Sequence, residues 1–256
     1  MTHAVPRRSG RRACLGLLVA TVTGCGFLPI SRTSLVGTGV LATAAKPPLV
    51  DSTGECGPSG MRPDLALNRR KNRIDDGRYL PVSWSLVARL PWPRLVGYRF
   101  RNQWTRGEQR KVARYEGAAV EVTGYVVNYL REGAEPTNCY SRDPSAEDYH
   151  LWISQRAHAD KKHSIVVELT PRVRVHHAGW TDERLAALVA AQVPVRVRGW
   201  LMLDQMHPGA VGRTRITLWE VHPVMHLDWQ QPDSSWVSLD SLVPPATHRP
   251  SAAPQR

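Results

Sequence analysis

In the stretch Leu218 to Val224, "LWEVHPV", Glu220 and His222 stand two residues apart inside an apolar run. A strand turns successive side chains to opposite faces. Glu220 and His222 therefore project together with Ile216, Leu218 and Val224, while Trp219, Val221, Pro223 and Met225 take the other side. A carboxylate beside an imidazole can ligate zinc or manganese, or exchange protons with a substrate. Two further strand-like segments carry the same residue types. In "DYHLWIS", His150 shares its side with Asp148 and Trp152, and in "SIVVELT", Glu168 alternates with apolar neighbours. His150, Glu168, Glu220 and His222 form the candidate polar cluster, the ligand types of a metal-dependent hydrolase. Their spacing matches no established catalytic motif, and no HExxH, Walker loop or nucleophile elbow is present. The sequence alone therefore assigns no catalytic residue and predicts no cofactor, with zinc or manganese as the alternative. It favours a hydrogen-bonded structural cluster that fixes strand register. His207 lies near Asp204 in a connection, and the adjacent His176 and His177, which point to opposite faces, read as surface residues.

The elements that must position these residues are legible from residue 116 onward. "AAVEVTGYVVNYL" alternates as one long strand with Val120, Val122 and Val126 on one face, and Gly124 marks a bend. "DYHLWIS" and "SIVVELT" supply the second and third strands. Thr181 is a natural N-cap for a helix through about Ala191, with Leu185, Leu188 and Val189 on one face. "PVRVRGWLML" and "TRITLWEVHPVMHLDW" supply the last two strands. Three strands, a helix and two strands is the order of a mainly β fold, an OB-like five-stranded barrel with its helix between strands three and four. Another small mixed barrel or an α+β sandwich is the alternative. On an OB-like barrel, Trp152, Arg172 and Arg174 are of the types that make a ligand-binding face for nucleic acid.

Before the barrel, residues 63–115 read as a lead-in that packs on it. Ser83 to Leu90 is expected to make about two helical turns, stopped by Pro91. Residues 25–62, rich in Gly, Pro, Ser, Thr and Ala, read as a disordered tether. The barrel is expected over 116–229, followed by a C-terminal extension over 230–256 that ends in a disordered Pro- and Ala-rich tail.

Residues 1–24 carry Arg7, Arg8, Arg11 and Arg12 before the apolar run Ala13 to Val22. That pattern is a secretory signal, too short to remain as a membrane span, which needs roughly 20 apolar residues. Thr23-Gly24-Cys25 resembles the lipobox of bacterial lipoproteins, which implies lipidation of Cys25 and an envelope address, with the chain held on a membrane surface by its acyl chains. Ordinary secretion with cleavage near Ala44-Ala45 is the alternative. The whole chain has a formal charge of +12, and removing the four leader arginines leaves +8, which suits an anionic ligand. With Cys14 lost in the leader and Cys25 lipidated, Cys56 and Cys139 remain as a candidate disulfide. No CxxC pair offers a thiolate zinc site.

The segments "YEGAAVEVTGYV", "DYHLWI", "VVELTPRVR", "VRVRGWLMLDQMHP" and "TLWEVHPV", with the lead-in Arg70-Lys71-Asn72-Arg73, resemble a group of uncharacterised bacterial exported proteins with an OB-like domain. The resemblance covers roughly residues 65 to 228. It implies the fold and no reaction. The Cys-x-Cys-like pattern associated with the loop before the second strand is reduced here to Cys139 followed by Tyr140.

Overall fold

A computed structural model describes residues 56–93 and 100–242. The leader, Cys25, the tether up to residue 55 and the tail beyond residue 242 lie outside the described residues. Seven strands form one sheet: β1 (Leu80–Val82), β2 (Ala119–Arg131), β3 (Tyr149–Ser154), β4 (Ser164–Leu169), β5 (Pro194–Leu203), β6 (Trp219–Gln230) and β7 (Trp236–Ser238). Among the described residues five α-helices accompany them: α1 (Leu65–Lys71), α2 (Trp84–Ala88), α3 (Arg106–Ala113), α4 (Pro171–Arg174) and α5 (Asp182–Ala191). Among the described residues, no helix is long and apolar enough to cross a membrane.

Strands β2, β3, β4, β6 and β5 pair in that order, and β5 returns to β2, closing the five-stranded barrel that the element order predicts. All its pairs are antiparallel except β4 with β6. Closure depends on β2 serving two neighbours. Its first half, Ala119 to Tyr125, pairs with β5, and its second half, Tyr125 to Arg131, pairs with β3. The handover falls at Tyr125, next to Gly124, where the sequence marks a bend. A Cβ on Gly124 would lie 2.4 Å from Ile153 Cγ2 and 2.6 Å from the Ser154 carbonyl oxygen, so only glycine lets β3 approach this closely.

The barrel interior is filled by the apolar half of each alternating pattern, including Val120, Val122, Leu151, Ile153, Ile165, Val167, Val197, Leu201 and Val221, none with measurable exposure. Burying such side chains stabilises the fold by about 1.5–3 kcal/mol each and is the main driving force for closure. Helix α5 starts at its Thr181 N-cap and lays Leu185 and Leu188 on the barrel, in agreement with its sequence pattern. The segment after Gln230 is part of the domain. β7 extends the sheet beside β6, Leu239 is buried, and Asp240 holds His177 Nδ1 at 2.6 Å. His177, expected at the surface, is partly buried and stacked on Trp180 with ring centroids 3.9 Å apart.

The lead-in touches the barrel where Trp84 Nε1 donates to Ile153 O at 2.7 Å. Residues 56–62, however, are not tether. A disulfide joins Cys56 to Cys139, and side chains hold the strap's carbonyls: Arg172 donates to Cys56 O and Gly57 O, Asn72 to Pro58 O, and Asn68 to Ser59 O and Met61 O. These anchors lie far away in sequence, which is why composition alone misreads the segment.

A second fastening joins the lead-in to the start of β2. Arg101 grips buried Glu116 with two 2.6 Å hydrogen bonds, and Arg70 of α1 adds a 2.8 Å ion pair. Burial alone would raise the Glu116 pKa, but the two guanidiniums outweigh it and bring it down to about 2. A folded-state value below the ordinary one near 4.5 contributes stability that is full above pH 4.5 and is lost as the pH falls toward 2. We predict that acid titration of stability between these values weakens the fold by about 3 kcal/mol through this group. Glu116→Gln should flatten that part of the profile. An unchanged profile in the variant would contradict the assignment.

Candidate metal centre

The strand registers bring the candidate cluster together. β3 and β4 set His150 directly opposite Glu168. The parallel β4–β6 ladder pairs Val166 with Glu220, and two residues further along both strands Glu168 meets His222. Cross-strand partners project to the same side. All four residues therefore leave the sheet on the face opposite the apolar core, not inside the barrel where a small OB-like fold would suggest placing them. That outer face is covered by α1 and by the loop after β2, and each of the four side chains is buried. Val224, expected on the His222 side, joins the apolar core instead. Between Val221 and Val224 β6 advances three residues while β5 advances only two, so the extra residue flips the side.

Glu168 is the hub. Its Oε1 lies 3.3 Å from His150 Nε2, and its Oε2 contacts His222 Nδ1. His150 Nδ1 sits 3.2 Å from Glu132, the first residue after β2. Glu220 Oε1 lies 3.5 Å from His222 Nδ1 and receives Lys71 of α1 at 2.9 Å, while its Oε2 lies 3.5 Å from Arg215. Arg215 also bonds Asp204 at 2.6 Å, and Asp204 in turn holds His207 Nδ1 at 2.7 Å. Asp148 comes in beside them at the start of β3, with Asn138 donating to its Oδ1 at 3.1 Å.

Charge dominates this interior. Burial alone would raise Glu168, but the imidazoles of His150 and His222 and the Lys71 ammonium hold it well below the usual carboxylate range. Burial alone would lower His222, but the Glu168 charge brings it up to about 9. His150 moves well upward for the same reason, against its own desolvation. Two acids move the other way. Burial raises Asp148, and burial with the charges of Asp148 and Glu168 brings Glu135 up to about 8. The cluster thus gathers more carboxylates than fixed cations and shares protons to offset them.

Hydrogen bonding does not satisfy the cluster. Asp148 Oδ2, Glu168 Oε2, Glu220 Oε1, His150 Nε2 and both ring nitrogens of His222 are buried without a hydrogen-bond partner. Glu168 Oε2, Glu220 Oε1, His150 Nε2 and His222 Nδ1 nonetheless face an opposite charge, which leaves Asp148 Oδ2 and His222 Nε2 with neither a hydrogen bond nor an ion pair among the described residues. A fully satisfied structural cluster would pair those two atoms as well, since leaving a buried polar atom unmatched costs roughly 1–3 kcal/mol. Asp148, Glu168 and His222 instead offer one ligand atom each within 4.8 Å of one another. An imidazole with two carboxylates, and His150 adjacent, is a donor set for a divalent transition ion such as zinc or manganese. A cavity of about 430 Å³ reaches Glu168 and is also lined by Lys71, Glu132, Glu135, Asp204 and His207.

The other candidate face does not form. Trp152 is buried, with Lys161 Nζ 3.6 Å above its ring. Arg172 is buried and spent on the strap carbonyls, and Arg174 donates to Ser145 O and Glu147 O while lying over Tyr149. The physical reason is local. Thr170-Pro171 ends β4 and starts α4, so the two arginines leave the plane of the sheet. Together the three residues offer no open stacking platform.

Several participants escape sequence reasoning. Lys71 looks like one more cation of "NRRK", and only the helical phase of Leu67 and Lys71, four apart on α1, sets it on the buried side. Glu132, Glu135 and Arg215 sit on loops whose course no local pattern dictates. Comparison with protein-family models, with curated proteins and with solved structures finds no match to this chain.

Proposed function

We propose that this protein is an exported OB-like module, held at the cell envelope by a lipidated Cys25, whose working part is a divalent transition-metal centre formed by Asp148, Glu168 and His222. The observation that carries this reading is the convergence of one ligand atom each from buried Asp148, Glu168 and His222, on the side of the barrel covered by α1, where Asp148 Oδ2 and His222 Nε2 lack a partner. The cation takes the place of the protons that otherwise offset the excess of carboxylate, and His150 stands ready as a further nitrogen donor or as the residue orienting Glu168. Zinc and manganese are the ions of choice, because the donors are nitrogen and oxygen without thiolate.

The cavity at Glu168 favours a second reading at the same centre, metal-assisted hydrolysis, which requires a coordination position open to an outside ligand. The experiment is metal analysis of the purified protein, followed by cobalt substitution. An equimolar ion lost on chelation is the expected result, and protein that takes up neither zinc, manganese nor cobalt sinks the proposal. A cobalt spectrum that shifts on adding azide supports the hydrolytic reading. One that does not shift leaves a closed, structural centre.

A further inference from the structure

Helices α1 and α3 flank a groove of about 640 Å³ on the lead-in side of the domain. Gln109 and Ala113 of α3 line it, and Arg106 and Arg110 stand on that same helical face at spacings of three and four. Arg114 follows one turn on, and Lys111 flanks it; all four basic residues are exposed. Across the groove, Arg62 and Arg69 are exposed as well. Among the described residues, none of these six cations has an acidic partner. The acids nearby are already engaged. Asp64 caps α1, Glu108 closes the capping box with Thr105, and Glu116 is held by Arg101 and Arg70.

Apolar side chains are set among the cations. Leu65 is 45 % exposed and Phe100 is 51 % exposed, both line the groove, and Met61 beside Arg62 is exposed too. Unpaired cations alone would suit any polyanion. Cations interleaved with exposed aliphatic and aromatic groups suit a bilayer interface, where the charges meet anionic headgroups and the apolar groups enter the acyl boundary. From this pattern we infer that the α1–α3 face docks on an anionic membrane surface, independently of the metal centre. An anchor only tethers the chain, whereas this face orients the domain against the bilayer.

The test uses the chain without residues 1–31, none of which takes part in a contact described above. Binding is measured by co-sedimentation with vesicles of equimolar phosphatidylglycerol and phosphatidylcholine, and with phosphatidylcholine alone. The parent should bind the anionic vesicles and not the zwitterionic ones. Each basic residue at a bilayer surface contributes roughly fivefold, so combining Arg106→Gln, Arg110→Gln, Lys111→Gln and Arg114→Gln should weaken binding at least tenfold. Leu65→Ser with Phe100→Ser should also weaken it while keeping every charge. All six substitutions are at exposed positions, and an unchanged melting temperature confirms that the fold is kept. Equal binding by the parent and the fourfold variant overturns the inference. So does a parent that prefers a DNA oligonucleotide to the vesicles and is indifferent to the two serine substitutions, which would assign the face to nucleic acid.

Discussion

Glu168→Ala is expected to cost the fold about 3–5 kcal/mol and to abolish metal binding, the largest loss from any single side chain in this domain. Glu168 lies between His150 and His222 with Lys71 close by, and those groups hold its carboxyl ionised in spite of complete burial. Removing it leaves two imidazoles and an ammonium facing one another away from water, in addition to a cavity where the side chain was. Glu168→Gln keeps the volume and removes the charge. It should lose the ion and retain more stability than the alanine variant. His222→Ala should also lose the ion, and the double variant should cost less than the sum of the two, because the orphaned partner is removed with its counterpart. Denaturant midpoints with matched metal analysis read all of this. Additive costs together with a retained ion would refute the idea that Glu168 and His222 form one centre.

The disulfide should matter almost as much. Cys56 and Cys139 are 83 residues apart in sequence, and a closed loop of that size removes about 4–5 kcal/mol of chain entropy from the unfolded state. Cys139→Ser, with Cys56→Ser to avoid a free thiol, should lower stability by a comparable amount. The loss should be local first. The strap over residues 56–62 is held by Arg172, Asn68 and Asn72, and it precedes α1, whose Lys71 reaches Glu220 in the centre. Amide exchange should therefore rise in residues 56–72 before it rises in β3 or β4. If exchange in the strap and α1 stays at the parent rate, the disulfide is not what holds the cover on the polar cluster. An oxidising compartment is where such a bond persists.

The barrel was legible because its strands alternate and its breaks are local. Gly124, Thr181 and the five segments from Ala119 to Gln230 each carry a signal within a few residues of themselves. The pairing of Glu220 with His222 on one side was equally readable, since a two-residue period needs no partner strand. Arg172 and Arg174 were misplaced because a proline turns the chain out of the sheet, and the outcome depends on what the turned residues then find. Val224 was misplaced because a bulge leaves no mark on the periodicity of its own strand.

What the sequence determined by itself is therefore the set of elements and the chemistry each can offer: alternation buries one face of every strand, and an imidazole or carboxylate on the other face must find a partner or water. The tertiary structure decided that the side chains on that face are buried. The register of β3, β4 and β6 stacks Asp148, His150, Glu168, Glu220 and His222 side by side, and α1, pinned by Cys56–Cys139 and by Glu116, closes over them with Lys71. Contacts between residues tens of positions apart set that arrangement. Local periodicity carries no record of them, and so the sequence supplies the side chains while only the fold brings them together.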